Sequence, residues 1–212
     1  MQRLIEGVHR FRATDFGGYG ELLAHLARDG QDPHTLFITC ADSRVVAELI
    51  TQSEPGDIFV VKNVGNIIPA FDNVASTNST AAAIEFAVSA LEVRDIVVCG
   101  HTQCGAMAAL LGGISRPEEM PHLGRWIEVA APVRRVIAEQ YGHLSGAEDR
   151  CRAAEEENVL FGLENLQTYP AVQRRLAEGS LHLHGWMFKI ATAELFAFDA
   201  GSLQFVPLVA GL

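Results

Sequence analysis

Apolar residues recur at helical spacing through residues 4–11 and again through 20–28, and the second stretch stops at Asp29-Gly30, a pair suited to ending a helix. These stretches predict an N-terminal helical arm over residues 1–30. Two short β-branched runs follow, Thr35-Leu36-Phe37-Ile38-Thr39 behind Pro33 and Ile58-Phe59-Val60-Val61 behind Pro55-Gly56, and both read as buried strands. An alanine-rich stretch with helical spacing, 77–91, leads into a third apolar run, Ile96-Val97-Val98-Cys99, and a further helix is predicted over 104–111. Two longer helices, about 123–140 and 149–168, precede strand-like runs at 181–190, 194–198 and 203–206. Strands separated by helices pair in parallel through crossovers. The expected fold is therefore α/β, a central mostly parallel sheet flanked by helices, in a single domain over residues 1–212.

Charge narrows the function classes. Twenty-six acidic against sixteen basic residues leave a formal net charge of −10, which repels nucleic acid and anionic membrane. No apolar run approaches the roughly 18 residues of a membrane span, and MQRLIEGVHRF has no basic segment leading into a long apolar one. A soluble, cytoplasmic protein is expected, with no nucleic-acid or membrane partner. Four cysteines in such a chain read as metal ligands, catalytic groups or core residues rather than as a disulfide framework. Cys99 closes an apolar run and Cys151 sits in a charged helical stretch, so both read as structural.

Two polar clusters directly follow predicted strands: Cys40-Ala41-Asp42-Ser43-Arg44-Val45, and Gly100-His101-Thr102-Gln103-Cys104-Gly105-Ala106. Ligands of open α/β sheets bind beyond the carboxyl ends of the strands, where these clusters can converge. Together they offer two thiols and one imidazole, and Cys2His with an open fourth position is a catalytic zinc arrangement. Zinc in an open site acidifies its water and supplies hydroxide near neutral pH. Two thiolates cancel the charge of the metal and weaken that effect, so another group must hold and orient the hydroxide. Asp42 can accept its proton, and Arg44 can pair bidentately with Asp42 and keep it ionised. The backbone N–H of Gly105, near a helix N-terminus, suits negative charge developing on a substrate oxygen. Duller readings stand beside these: Cys40 as a small core residue, Cys104 and His101 as a thiol nucleophile with its base, and Asp42-Ser43-Arg44 as a helix cap. The pattern H-x-x-C is weak alone; the combination gives it weight.

Cys-Ala-Asp-Ser-Arg-Val about sixty residues ahead of Gly-His-Thr-Gln-Cys-Gly-Ala resembles the paired signature of the β-class carbonic anhydrases. The resemblance continues through Gln31-Asp32-Pro33, Pro55-Gly56-Asp57, Asn63-Val64-Gly65-Asn66-Ile67-Ile68-Pro69, Ala83-Ile84-Glu85-Phe86-Ala87, Asn165-Leu166-Gln167-Thr168-Tyr169-Pro170 and Leu183-His184-Gly185-Trp186, and is nearest to bacterial and carboxysomal cyanobacterial members. It implies the interconversion of carbon dioxide and bicarbonate with one zinc per chain, bound by Cys40, His101 and Cys104, and Asp42 with Arg44 as the catalytic pair. By the same resemblance Gln31, Phe59 and Val64 surround the carbon dioxide pocket. Part of that pocket comes from a neighbouring subunit in relatives, which implies a homodimer or a higher multiple, and a carboxysome is the alternative compartment. Hydrolysis of carbonyl sulfide or carbon disulfide on the same site, or a catalytically weak carboxysome-associated scaffold, are the competing functions.

Some positions depart from the family pattern. Phe86 stands beside the pocket where many members carry tyrosine, and Ser76-Thr77-Asn78-Ser79-Thr80 replaces a glycine-rich helix entry. Phe37, Lys62 and Phe188 match none of the tryptophan, arginine and tyrosine of a bicarbonate-regulated subgroup. Elsewhere, His182 and His184 are expected to serve structural or hydrogen-bonding roles, Glu155-Glu156-Glu157 to form a solvated helix face, and Trp126 and Trp186 to lie in the core or an interface.

Overall fold

The computed structural model of the chain describes residues 1–72 and 77–209. Its centre is a sheet of β1 (Thr35–Cys40), β2 (Ile58–Asn63), β3 (Asp95–His101), β4 (His182–Lys189), β5 (Glu194–Asp199) and β6 (Gln204–Pro207), ordered β2-β1-β3-β4-β5-β6. The first four strands are parallel and the last two antiparallel, so the mostly parallel α/β fold expected from the sequence is the fold observed. Parallel pairing requires crossovers. They are supplied by α4 (Ser79–Ser89) between β2 and β3, and by α5 (Gly105–Gly112), α6 (Pro121–Ile127), α7 (Ala131–Gln140), α8 (Ala147–Leu166) and α9 (Pro170–Ala177) between β3 and β4.

All six residues of β1 are buried, because the sheet is covered on both faces. Its side chains still alternate between two cores. Leu36 and Ile38 pack with Ile84, Ile96, Val98 and Leu166 on one side. Phe37 packs with Val97, Cys99 and Phe188 on the other. A third cluster, around Met107, Leu110, Ile127, Val133 and Ile137, adjoins Cys40 and Cys104.

The N-terminal arm is helical as expected, with α1 (Gln2–Arg10) and α2 (Phe16–Asp29) joined by a π-helical turn at Phe11–Asp15. It ends at Gly30, whose φ of 92° lies where glycine is favoured. Leu4, Ile5, Val8 and Phe11 are exposed in the single chain. The single helix expected over 123–140 is instead two, α6 and α7, with a 3-10 turn at Glu128–Ala130 between them. Pro132 explains the break, since it has no N–H for a continuing helix and its ring clashes with the preceding turn. Two observed helices were not expected: α3 (Ala47–Thr51) is too short to show a period, and α9 opens on Pro170, at a position that proline favours. Among the described residues no helix is long and apolar enough to cross a membrane.

In the segment that replaces a glycine-rich helix entry, Asn78 caps α4. Its Oδ1 accepts the N–H of Thr80 at 2.9 Å and of Ala81 at 3.1 Å. Ser76 lies outside the described residues.

Helix α8 connects this framework to the loop after β2. Asn158 Nδ2 donates to the Gly65 carbonyl at 2.9 Å and Asn165 Nδ2 to the Ile68 carbonyl at 2.7 Å, and the Tyr169 hydroxyl, just beyond the helix, donates to the Pro69 carbonyl at 3.0 Å. The helix lies close enough to do this because small residues face it. A Cβ on Gly100 would sit 2.7 Å from both Met187 Sδ and Val159 Cγ2. Gly100→Ala should therefore cost about 1–3 kcal/mol through overpacking, lowering the melting temperature by about 2–4 °C per kcal/mol in calorimetry. An unchanged melting temperature would show that α8 has room to spare.

Candidate metal centre

Because β1 and β3 are parallel neighbours, their carboxyl ends lie side by side, and each ends in a chemically capable residue, Cys40 and His101. Cys104 comes back to the same place after the Thr102-Gln103 turn, in which Gln103 takes a φ of 60°, and it stands immediately before α5 as its N-cap. The ligand atoms of Cys40, His101 and Cys104 all lie within 4.8 Å of one another, and all three residues are buried.

His101 Nδ1 lies 2.9 Å from the Thr102 carbonyl. A carbonyl can only accept, so Nδ1 carries the proton and Nε2 the lone pair. That Nε2 is buried without a hydrogen-bond partner. A buried lone pair facing two sulfurs is the arrangement that a metal ion satisfies. The sulfurs support the same conclusion. A hydrogen bond from the Cys104 thiol favours the Cys40 thiolate and, against burial and with help from backbone N–H groups around it, brings its pKa down to about 4. The Gly65 N–H also donates to this sulfur, at 3.3 Å. Cys104 is pushed the other way by the neighbouring Cys40 sulfur and by burial. One proton thus stays between the two sulfurs until a cation makes the second ionisation favourable. Two thiolates and one imidazole are a donor set that zinc accepts.

Asp42 lies on the loop that leaves β1. Its Oδ1 accepts from the Arg44 N–H at 2.9 Å and from Arg44 Nε at 3.0 Å, and its Oδ2 accepts from Arg44 Nη2 at 2.8 Å. These bonds hold the Asp42 carboxyl well below the usual carboxylate range. Oδ2 is 4.0 Å from His101 Nε2. Arg44 Nη2 also reaches the Gln103 carbonyl at 3.1 Å, which ties the β1 loop to the β3 loop. Lys62 Nζ donates to the Asp42 carbonyl at 3.2 Å and to the Val45 carbonyl at 2.6 Å, and this fastens the loop from below. A cavity of about 300 Å³ adjoins the centre, lined by Cys40, Asp42, Val64, Gly105, Ala106, Leu123 and Ile127 among others.

Of the residues expected around a substrate, Val64 and Gly105 line this cavity. Three others lie elsewhere in the single chain. Phe59 pairs with Leu36, four residues before Cys40 on β1. Half-exposed Phe86 packs on it from α4 with ring centroids 5.8 Å apart. Gln31 sits ahead of β1, in a separate recess with Pro33, His34 and Arg94.

Glu155 requires a correction. Expected on a solvated face, it is 3% exposed, and its Oε1 accepts the backbone N–H of Cys104 at 2.7 Å. The sign in the sequence was the spacing 155, 158, 159, 162, 165, 166, one stripe of α8 whose members are all buried. Trp126, whose Nε1 donates to the Val64 carbonyl at 2.7 Å, and Lys62 are further contacts that no local pattern announces. His184 Nε2 pairs with Asp95 Oδ1 at 2.8 Å, the hydrogen-bonding role expected of it, and Trp186 meets Phe37 edge-on at 5.9 Å.

A family model described as carbonic anhydrase matches residues 35–195. The structure of the β-carbonic anhydrase CcaA shares this fold with a TM-score of 0.93 at 46% identity, over 98% of this chain and 99% of that one. The chain belongs to the β-carbonic anhydrases. A carbonic anhydrase of Synechocystis is 47% identical over 206 residues, 97% of this chain and 74% of the relative. One from Pseudomonas aeruginosa is 40% identical, over 98% and 92%. A tetrameric β-carbonic anhydrase of Sordaria macrospora gives a TM-score of 0.82 at 29% identity, over 94% of this chain and 96% of that chain. The protein is a carbonic anhydrase, an enzyme of the family that hydrates carbon dioxide, and its Cys-His-Cys group can bind a metal.

Zinc should displace the proton shared by the sulfurs. Titrating metal-free carbonic anhydrase with zinc at pH 7 in weak buffer should release about one proton per metal, read with a pH indicator, and affinity should fall as pH falls. Binding with no proton release would place the metal elsewhere.

Proposed function

We propose that this enzyme interconverts carbon dioxide and bicarbonate at a single zinc per chain held by Cys40, His101 and Cys104. The observation that carries the reading is the Asp42 carboxylate, gripped by Arg44 and 4.0 Å from the unpartnered His101 Nε2. Zinc, when bound, supplies a Lewis acid that makes hydroxide available near neutral pH. Asp42 orients the nucleophile: ionised and already fixed by Arg44, it can only accept, so a hydroxyl beside it donates its hydrogen to Oδ2 and turns a lone pair toward the cavity. The apolar walls at Val64, Ala106, Leu123 and Ile127 suit an uncharged, weakly polar substrate. The N–H of Gly105, in the first turn of α5 where backbone donors lack intrahelical acceptors, suits the oxygen on which charge develops.

The reading extends to a homo-oligomer in which Gln31, Phe59 and Phe86 of one subunit complete the pocket of another. Their distance from the cavity of their own chain, the exposure of Phe86 and the exposed apolar stripe of α1 support it. Phe86 offers no hydroxyl there, so it shapes the pocket by contact alone. Lys62 fastens the Asp42 loop in its Arg44-bound form, which favours a site that stays open across pH. A reducing cytoplasm suits two ligand thiols.

Cys104→Ser should lose both metal and hydration activity. Asp42→Asn should keep zinc, measured by metal analysis, yet lose turnover by about 10²-fold or more in stopped-flow hydration. Near-normal turnover in Asp42→Asn would mean that another group orients the nucleophile. Negligible hydration beside rapid sulfide release from carbonyl sulfide would move the substrate assignment to sulfur analogues.

A further inference from the structure

Between Gln103 and Cys104 runs one trans peptide group, whose C=O and N–H point in opposite directions. Both ends are held from outside the turn. Arg44 Nη2 donates to the Gln103 carbonyl at 3.1 Å, and Glu155 Oε1 accepts the Cys104 N–H at 2.7 Å. The plane of this peptide fixes the N–Cα bond of Cys104 and, together with its φ of −74°, the direction from which its side chain approaches the metal site. It also follows a non-glycine residue with φ of 60°, a conformation that persists only when its surroundings impose it.

The geometry points to Glu155 as the positioning residue of Cys104: its carboxylate and the guanidinium of Arg44 clamp the 103–104 peptide from opposite sides and aim the sulfur at the metal. This deepens the zinc reading and rests on it. Glu155 is not placed to touch substrate. It borders a different cavity, of about 470 Å³, with Thr102, Cys151, Arg152 and Lys189, whereas the substrate cavity is bounded by Asp42, Val64 and Gly105. Its carboxylate is itself steadied by the Cys151 thiol, which donates to Oε1 at 3.6 Å. Gly100 makes the contact reachable, because a side chain there would press on Val159, one turn along α8 from Glu155. The clamp needs an acceptor at full reach, and both glutamate and glutamine provide one.

The test compares Glu155→Gln, Glu155→Asp and Glu155→Met in the full chain. Zinc affinity is read by competition with a chromophoric chelator, ligand geometry by the visible spectrum of the cobalt-substituted protein, and folding by the melting temperature of the metal-free form. Glu155→Gln should retain the wild-type affinity and cobalt spectrum. Glu155→Asp, too short to reach, and Glu155→Met, with no comparable acceptor, should lose affinity by about tenfold or more and shift the spectrum. Either of these folding and binding zinc as the wild type does would overturn the clamp. So would a lowered melting temperature with an unmoved cobalt spectrum, or a loss in Glu155→Gln as large as in Glu155→Asp, which would make charge rather than reach the property used. Should the aspartate variant fail to fold, the glutamine and methionine pair decides alone. Wild-type protein that binds no zinc would instead sink the metal reading itself.

Discussion

Two cysteine sulfurs held side by side below the surface cannot both carry charge without a cation between them. In this chain that constraint falls on Cys40 and Cys104, with the lone pair of His101 turned toward them by a hydrogen bond on the opposite ring nitrogen. Everything nearby keeps these three groups in place despite their cost to the metal-free fold. The parallel sheet sets two ligands at adjacent strand ends, and the third depends on a turn that needs outside support.

That support comes from groups that hold the loops in place. Arg44 joins the two loops by binding Asp42 and the Gln103 carbonyl together. Asn158, Asn165 and Tyr169 take up the carbonyls of the loop after β2, and Gly65 on that loop donates to the Cys40 sulfur. Gly65 itself has φ of 80° and lies so near Ala106 that a Cβ would stand 2.7 Å from the alanine methyl, which leaves little choice of residue there. In the reading proposed above, a Lewis acid weakened by two thiolate ligands is offset by a carboxylate whose orientation is fixed before substrate arrives.

The chain shows some of this openly. The strands were legible because their β-branched runs are short and bounded by proline and glycine, and the α/β order followed from strands alternating with helices. Cys40, His101 and Cys104 were legible because they follow strands directly, where neighbouring loops meet. Other features were hidden for physical reasons. The break between α6 and α7 depends on Pro132, which a periodicity count passes over. Three glutamates in a row suggest solvent by composition, and only the helical phase shared with Val159, Gly162 and Leu166 puts Glu155 inside. Gln31, Phe59 and Phe86, grouped only by the family resemblance, lie apart from the cavity of their own chain, so one chain's fold does not bring them to it.

The stripe on α8 has a consequence for how this architecture can vary. Successive residues of a helix are turned by about 100°, so inserting or deleting one residue between Glu155 and Asn158 would leave Glu155 and the two asparagines on different faces of α8. Such a change would disturb the metal loop or the loop after β2. The short connection between α7 and α8 carries none of these contacts, and length differences among related chains are better accommodated there, where they leave the helical phase intact.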